Sequence, residues 1–432
     1  MKKQITLIIL LTFLSVALCS AASAVVSPDP TPTPTPTPTT NTQWQTQVID
    51  GGITGETSSI AVDSNGNPHI SYQGTNGQDD VLKYASKDSA GWSTEIVDNT
   101  PYSGAYNSLA IDKNNNPHIS YLTMHDEMNY DLKYATKTSS GWQIQTIDTG
   151  VRREYTSIAV DSNGNPGIVY TVWDDGDFKL KYAYFNGAWN TESVAMQGHG
   201  ASLAFDSSNI PHVSSYEGGS LLRYWTRGAS GWTSEPVGNV VVPGFSEVTS
   251  LKLDSTGTPH ISFADYVPAS GEHILKYATK TSSGWTTSTV YSESGWDVGT
   301  YNALAIDSSN IPHIVFDKTN DAGSVVIYQA YIKNGAWTVE KINDGTQWRY
   351  GPVSIAIDPK TDNIHVSYYG SIDYAFLAGP ARAVNPSQTA NAQTTVNAQS
   401  NTIPMQDTGL PLAGLFVAVL MAFGGLATSR KS

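Results

Sequence analysis

Residues 59–72 read SIAVDSNGNPHISY, and this phrase decides the fold. It holds two short segments rich in β-branched and aromatic residues, separated by a turn in which Asn and Gly tolerate positive φ angles and Pro bars a helix. The pattern predicts two antiparallel β-strands joined by a tight turn. The phrase returns as SLAIDKNNNPHISY over residues 108–121.

The phrase occurs seven times in all, which makes the chain an internal repeat. Each copy continues with a segment similar to Leu-Lys-Tyr-Ala, and most copies then carry a Gly-Trp segment. Four short strands in about 45 residues, repeated four to eight times, are typical of β-propeller blades. The repeats lack the 3.6-residue apolar period of helical solenoids. The repeated aspartates are Asp63, Asp112, Asp161, Asp206, Asp254, Asp307 and Asp358.

The order of segments at the two ends predicts how the repeats close. The first Trp segment, at Trp44, precedes the first Asp strand, whereas the last copy ends near Phe376 without a Trp segment. The strand from Trp44 to Ile49 is therefore expected to complete the last blade and to leave no unpaired edge. We predict an all-β fold, a seven-bladed β-propeller of four-stranded antiparallel blades over residues 42–378, closed by the N-terminal strand. An open solenoid with capping units is the alternative.

Both ends of the chain are predicted to be targeting or anchoring segments. Residues 1–24 combine a basic start, an apolar run and a small-residue Ala-Ser-Ala site, which predicts a cleaved signal peptide. Residues 410–427 are uncharged and precede the basic tail 428–432, which predicts one C-terminal transmembrane or sorting helix with a cytoplasmic end. Residues 25–41 form a Pro/Thr linker, and residues 379–409 form a low-complexity stalk.

The predicted location is the cell surface, with the propeller outside the cell and the membrane contacted through the C-terminal helix. An uncleaved anchor is the alternative at the N-terminus. At the C-terminus, the helix is either retained or exchanged for another anchor by a sorting enzyme.

The composition excludes several classes of protein. The chain has 24 Lys and Arg against 38 Asp and Glu, which argues against a nucleic-acid partner. Its single cysteine excludes a disulfide scaffold and a multi-cysteine metal site. The repeated histidines lie in different blades, too far apart to share one metal, and each is expected to bond to the Asp of its own hairpin. We therefore expect no metal, no cofactor and a monomeric propeller.

The repeats resemble those of bacterial and archaeal cell-surface β-propellers. The Asp-x-x-Gly-Asn turn is similar to that of NHL-type repeats, and the overall pattern is similar to that of sialidase-like propellers. The Ser-x-Asp-x-Gly-x-Thr-Trp box of the sialidase-like proteins is absent, because the phrase here is Asp-Ser-Asn-Gly-Asn-Pro-His-Ile. The C-terminal tail resembles prokaryotic sorting tails. These resemblances imply a shape and a location, and they do not specify an activity.

Function is expected in the loops that differ between copies, because rigid scaffolds usually carry their sites on variable loops. Tyr106, Tyr155 and Tyr301 precede their Asp strands at equivalent places and should ring the mouth of the channel. Exposed aromatic residues near Arg and acids suit glycan or protein recognition. The alternative is that these aromatic side chains fold down onto the core. The candidates are Tyr106, Arg152, Arg153, Tyr155, Trp173, Asp174, Trp296, Tyr301, Trp348 and Arg349.

Three functions remain open from the sequence. The first is a non-catalytic recognition or adhesion module for a surface glycan or protein. The second is an exo-acting glycoside hydrolase of sialidase-like type, and the third is a structural component of the cell envelope. A non-enzymatic role is expected, because no Gly-x-Ser-x-Gly elbow, His-Glu-x-x-His pair or phosphate-binding loop occurs.

Overall fold

The computed structural model describes most of the repeated body. The ranges are 39–40, 44–51, 57–126, 129–152, 154–174, 176–241, 248–320, 323–343, 351–368 and 372–379. The predicted signal peptide, C-terminal helix and basic tail lie outside the described residues, as do nearly all of the stalk and most of the Pro/Thr linker. In the described part of the chain, no helix is long and apolar enough to cross a membrane.

The described chain is all-β, and its strands form antiparallel groups of four. The first three groups are β3 (Ser58–Val62), β4 (Pro68–Thr75), β5 (Asp80–Asp88) and β6 (Gly91–Asp98); β7 (Ser103–Ile111), β8 (Pro117–Met124), β9 (Tyr130–Thr138) and β10 (Gly141–Val151); and β11 (Ser157–Val160), β12 (Pro166–Asp174), β13 (Asp177–Phe185) and β14 (Trp189–Ala195). A single residue pair, Val151 with Val172, joins the second and third groups into one sheet.

The following groups repeat this order. They are β15 (His199–Phe205), β16 (Pro211–Glu217), β17 (Leu221–Gly228) and β18 (Gly231–Asn239); β19 (Ser250–Leu253), β20 (Pro259–Val267), β21 (Glu272–Thr281) and β22 (Gly284–Tyr291); and β23 (Asp297–Ile306), β24 (Pro312–Thr319), β25 (Val325–Lys333) and β26 (Ala336–Asn343). A two-residue strand, β1 (Thr39–Thr40), pairs with β26 in parallel.

The last group takes its fourth strand from the other end of the chain. It consists of β27 (Val353–Ile357), β28 (Ile364–Tyr368), β29 (Ile372–Leu377) and β2 (Gln45–Asp50), in the order β2-β29-β28-β27. β2 and β29 are antiparallel, with Gln45 opposite Phe376 and Val48 opposite Asp373. The preceding residue, Trp44, packs against the core between this group and the β23–β26 group.

The repeated Asp builds the turn between the first two strands of each group. The Asp63 Oδ1 atom accepts hydrogen bonds from the backbone N–H groups of Asn65 and Asn67, both at 2.8 Å. Between them Gly66 has φ +84°, a conformation that glycine adopts at little cost. The same pair of bonds recurs at Asp112, Asp161, Asp206, Asp254 and Asp307. The Asp is therefore a turn-forming residue.

The repeated His is held inside its own group. His118 Nδ1 lies 2.6 Å from the Tyr134 hydroxyl on the third strand, whereas its Nε2 lies 3.6 Å from the Asp112 carboxylate. The predicted contact with Asp is present but long, and the shorter hydrogen bond is to Tyr. Burial lowers the pKa of His118, so the ring is neutral at pH 7.

The same tyrosines connect neighbouring groups. Tyr134 packs edge-to-face on Trp189 of the next group, with ring centroids 5.0 Å apart. Tyr374, in the last group, makes the equivalent contact with Trp92 of the first group, also at 5.0 Å. Edge-to-face aromatic pairs of this kind contribute roughly 1 kcal/mol beyond their buried area. The repeated His, Tyr and Trp residues are therefore scaffold.

The third copy shows why one His is missing. Gly167 stands at the His position, and a Cβ atom there would lie 2.8 Å from the Tyr182 ring and 2.9 Å from Phe205. Phe205, from the next group, thus occupies the space that the His side chain fills elsewhere.

Serines connect the first strands of successive groups around a central channel. The Ser59 Oγ atom accepts a hydrogen bond from the Leu109 N–H at 3.0 Å, and Ser354 Oγ accepts one from the Ile60 N–H at 3.1 Å. The second bond joins the last group to the first. The other pairs are Ser108 with Ile158, Ser157 with Leu203, Ser202 with Leu251 and Ser250 with Leu304. These serines line a cavity of about 130 Å³ in the channel.

Candidate functional site

The three candidate tyrosines lie together, and Tyr155 and Tyr301 line this cavity. The Tyr106 and Tyr155 rings pack edge-to-face with centroids 4.9 Å apart, and the Tyr155 and Tyr301 centroids are 6.1 Å apart. The rings therefore pack against one another in a row. Burial, together with the neighbouring Tyr301, raises the pKa of the Tyr155 hydroxyl well above its usual value. This row is an aromatic cover over the channel.

A buried carboxyl group lies beside this cover. Asp317 Oδ1 accepts a hydrogen bond from the Tyr301 backbone N–H at 3.0 Å, and the residue is only 1% exposed. Its Oδ2 atom has no hydrogen-bond partner among the described residues. Burial raises the pKa of Asp317 to about 7. No sequence pattern identified it, because equivalent positions hold unrelated residues such as Leu122 and Ala264.

Trp296 follows the alternative in which an aromatic side chain folds onto the core. Its ring packs against the core beneath the β23–β26 group, and the Lys318 Nζ atom lies 4.1 Å from the ring centroid. Lys318 is 5% exposed, and its Nζ is 2.8 Å from a Glu293 carboxylate oxygen. A cation held between an aromatic face and a carboxylate stabilises this loop.

Trp173 is placed differently, at the end of β12. Its side chain is 43% exposed, and the Arg152 guanidinium lies 5.3 Å from the ring centroid. Phe178, opposite Trp173 across the β12–β13 hairpin, packs edge-to-face on it with centroids 4.7 Å apart. The indole is thus held from two sides while much of it remains open to solvent.

A cavity of about 340 Å³ lies at the tip of the same β12–β13 hairpin, and its lining includes Asp174 but not the indole of Trp173. Lys179 Nζ bonds to Asp174 at 2.6 Å, and Gln197 Nε2 donates to Asp177 at 2.7 Å. The cavity is lined by Asp174, Asp177, Lys179, Met196, Gln197 and Glu217. We call Arg152, Trp173, Phe178 and these six lining residues the Trp173 surface.

The structure thus separates the candidates into distinct places. Arg152 and Trp173 are in contact, and Asp174 lines the cavity at the tip of the same hairpin. The three tyrosines form the channel cover, and Trp296 packs on the core. Arg153, Trp348 and Arg349 lie outside the described residues. The sequence analysis missed Asp177, Lys179, Met196, Gln197 and Glu217. Asp177 and Lys179 are close to Trp173 in the same hairpin. Met196 and Gln197 lie in the loop between β14 and β15, Glu217 ends β16 of the next group, and these three carry no sequence signal.

The Trp173 surface has the chemistry of a binding site more than of a metal centre. It combines an open aromatic face, an exposed Met196, carboxylates and an amide. Within the described ranges, no group of three or more His, Cys, Asp or Glu side chains could hold a metal ion.

Comparison with known proteins gives a likeness of fold. No model of a protein family matches the chain, and no curated protein matches it. Among solved structures, it is similar to a PL25 ulvan lyase bound to -[GlcA(1-4)Rha3S]-, with TM-score 0.51 and 12% identity over 80% of this chain and 99% of that one. It is also similar to the Aleuria aurantia lectin, with TM-score 0.46 and 11% identity over 70% of this chain and 100% of that one. A third similar structure is the Hadza microbial sialidase, with TM-score 0.43 and 10% identity over 78% of this chain and 68% of that one.

At this level of identity the likeness concerns the fold alone. Together with the four-stranded antiparallel groups, it defines the class of the molecule as an all-β protein of the β-propeller type.

Proposed function

We propose that the chain is a seven-bladed β-propeller, closed by β2, that acts at the cell surface as a non-catalytic recognition module for glycans. The ligand binds at the Trp173 surface. The predicted signal peptide and C-terminal anchor, which lie outside the described residues, would place this surface outside the cell.

Repeated contacts between neighbouring groups support the closed ring. At the end of β6, Asp98 accepts a hydrogen bond from the Tyr121 hydroxyl at 2.7 Å and lies 3.3 Å from Lys133 Nζ, both in the next group. A carboxylate that is buried between two groups in this way holds them together through charge-assisted hydrogen bonds.

Asp50 of β2 makes the same contacts with the first group. It accepts a hydrogen bond from the Tyr72 hydroxyl at 2.9 Å, and Lys83 Nζ lies 2.5 Å from it. The contacts between the last and the first group therefore repeat those between the first and the second group. A closed propeller requires this equivalence.

The exposed indole of Trp173 is the observation that carries the glycan proposal. A sugar ring offers an apolar C–H face that packs on an aromatic ring, and its hydroxyls need both donors and acceptors at the edge of that ring. Arg152 supplies donors at the ring, and the cavity at the tip of the same hairpin adds the donors Lys179 and Gln197 and the acceptors Asp174 and Asp177. The similar ulvan lyase structure holds a bound sugar chain, so the fold accommodates ligands of this class.

Replacing Trp173 by Ala is expected to weaken glycan binding tenfold or more, because truncating a central aromatic contact typically costs more than 1 kcal/mol. A glycan array identifies the ligand, and calorimetric titration with that glycan measures the change. Tyr102→Ala is the control, since Tyr102 is a comparably exposed aromatic residue outside the Trp173 surface. Equal affinity of the Trp173→Ala variant and the parent would contradict the proposal. A protein without any ligand would instead favour the structural role in the envelope.

An exo-acting glycoside hydrolase is the second candidate, and Asp317 is the observation that favours it. A general acid must be protonated near the working pH, and burial raises the pKa of Asp317 to about 7. Its position beneath the Tyr301 backbone, at 1% exposure, argues for a structural group instead. Release of sugar that disappears in an Asp317→Asn variant would establish the hydrolase.

A further inference from the structure

The channel contains a ring of six serine hydroxyl groups. Their oxygens accept hydrogen bonds, but their protons have no acceptor among the described residues. Each of the six serines that line it accepts a backbone N–H from the next group. A serine hydroxyl has one donor proton besides its lone pairs. No residue of the described chain accepts a hydrogen bond from any of the six, so their protons are free to point into the cavity.

Lys252 is the one long side chain in the layer of channel residues that follows the serine ring along the strands. It follows Ser250 by two residues on β19, so both side chains lie on the same face of the strand. The six equivalent positions in the other copies all hold alanine: Ala61, Ala110, Ala159, Ala204, Ala305 and Ala356. Small side chains on the surrounding strands thus leave room for one long cationic side chain.

The Lys252 ammonium has no ion pair or hydrogen bond with any described residue. Lys252 lies one layer beyond the residues that line the cavity, and its side chain is exposed to water. A positive charge without a protein partner inside a channel attracts anions that enter it.

We propose that the channel binds a small inorganic anion, which accepts hydrogen bonds from the serine hydroxyls and is balanced by the Lys252 ammonium. Each serine proton is an available donor, while a backbone N–H group engages one of the two lone pairs of each serine oxygen. Lys252 would repel a cation. The cavity of about 130 Å³ accommodates such an ion together with several waters, each of which occupies roughly 30 Å³ in the liquid.

Bromide and phosphate are suitable probes. One is a halide and the other an oxyanion, and both accept hydrogen bonds from donors such as the serine hydroxyls. The unfolding midpoint of the full chain is measured while either salt replaces gluconate, a bulky anion, at constant ionic strength. A saturable rise in the midpoint is expected for at least one probe, since a ligand that binds only the folded state stabilises it. Anomalous diffraction from crystals soaked in bromide, or density from phosphate soaks, locates the ion.

The Lys252→Ala variant introduces the residue that six other copies already carry, so it is expected to fold. It should bind the anion at least tenfold more weakly, because a charge-assisted contact is lost. Lys333→Ala, which removes an exposed lysine outside the channel, should behave as the parent does. The proposal is supported if an ion is located in the channel and if the rise in the unfolding midpoint is lost in Lys252→Ala but kept in Lys333→Ala. A channel without bromide or phosphate, or an equal response in the Lys252→Ala variant, overturns it.

Discussion

Removal of residues 44–50 is expected to lower the free energy of unfolding by on the order of 5 kcal/mol and to make the protein aggregate. The deletion takes away the whole of β2 and the packing of Trp44 on the core. It leaves Lys83 without the Asp50 carboxylate and exposes β29 as an unpaired edge. Denaturant unfolding measures the loss, and size-exclusion chromatography detects the aggregation.

Deletion of residues 25–38 is the matched control for this experiment. It shortens the same end of the chain within the predicted linker and leaves β2 in place, so stability should change little. Asp50→Asn should have an intermediate effect, because it weakens the contacts with Tyr72 and Lys83 but keeps the strand. If removal of 44–50 cost no more than removal of 25–38, β2 would not close the ring.

Replacing Asp317 by Asn is expected to stabilise the protein above pH 7. Burial raises the pKa of Asp317 from 3.8 to about 7, so the folded state binds a proton more tightly than the unfolded state. This group therefore favours the folded state at low pH, and its contribution is lost as pH rises through 7. Between pH 4 and pH 8, the free-energy difference between variant and parent should change by about 4 kcal/mol in favour of the variant.

Asp98→Asn should show the opposite dependence on pH. Burial acts to raise the pKa of Asp98, but hydrogen bonds from Thr100 and Tyr121 and the Lys133 charge lower it overall. Its contribution is present at pH 7 and is lost as pH falls through its lowered pKa. Denaturant unfolding of both variants across pH 3 to 8 gives the two trends. A parallel pH dependence in the two variants would contradict this assignment of Asp317.

The strands and turns were predictable because their causes are local. The turn formed by Asp63, Asn65 and Gly66 is encoded within five residues, and seven copies make the pattern unmistakable. The partner of the repeated His was missed, because Tyr134 reaches His118 across the sheet from 16 residues away. A contact of that kind depends on strand register, which the phrase itself does not show.

The candidate site was less predictable, because exposure depends on tertiary contacts. Trp173 lies at the end of β12 and Trp296 in a loop, both in segments that vary between copies. Lys318 contacts Trp296 and holds it on the core, whereas Trp173 stays open. Lys252 could have been found from the sequence, since aligning the copies shows one lysine among six alanines. Asp317 could not, because only the fold reveals its burial.

Hydrogen exchange of the backbone amides in β2 tests the closed ring most directly. The closed propeller predicts that residues 45–50 are protected to the same degree as residues 91–98 of β6, the corresponding fourth strand of the first group. Exchange of residues 45–50 at the rate of an unstructured peptide, while 91–98 remain protected, would show that the ring is open.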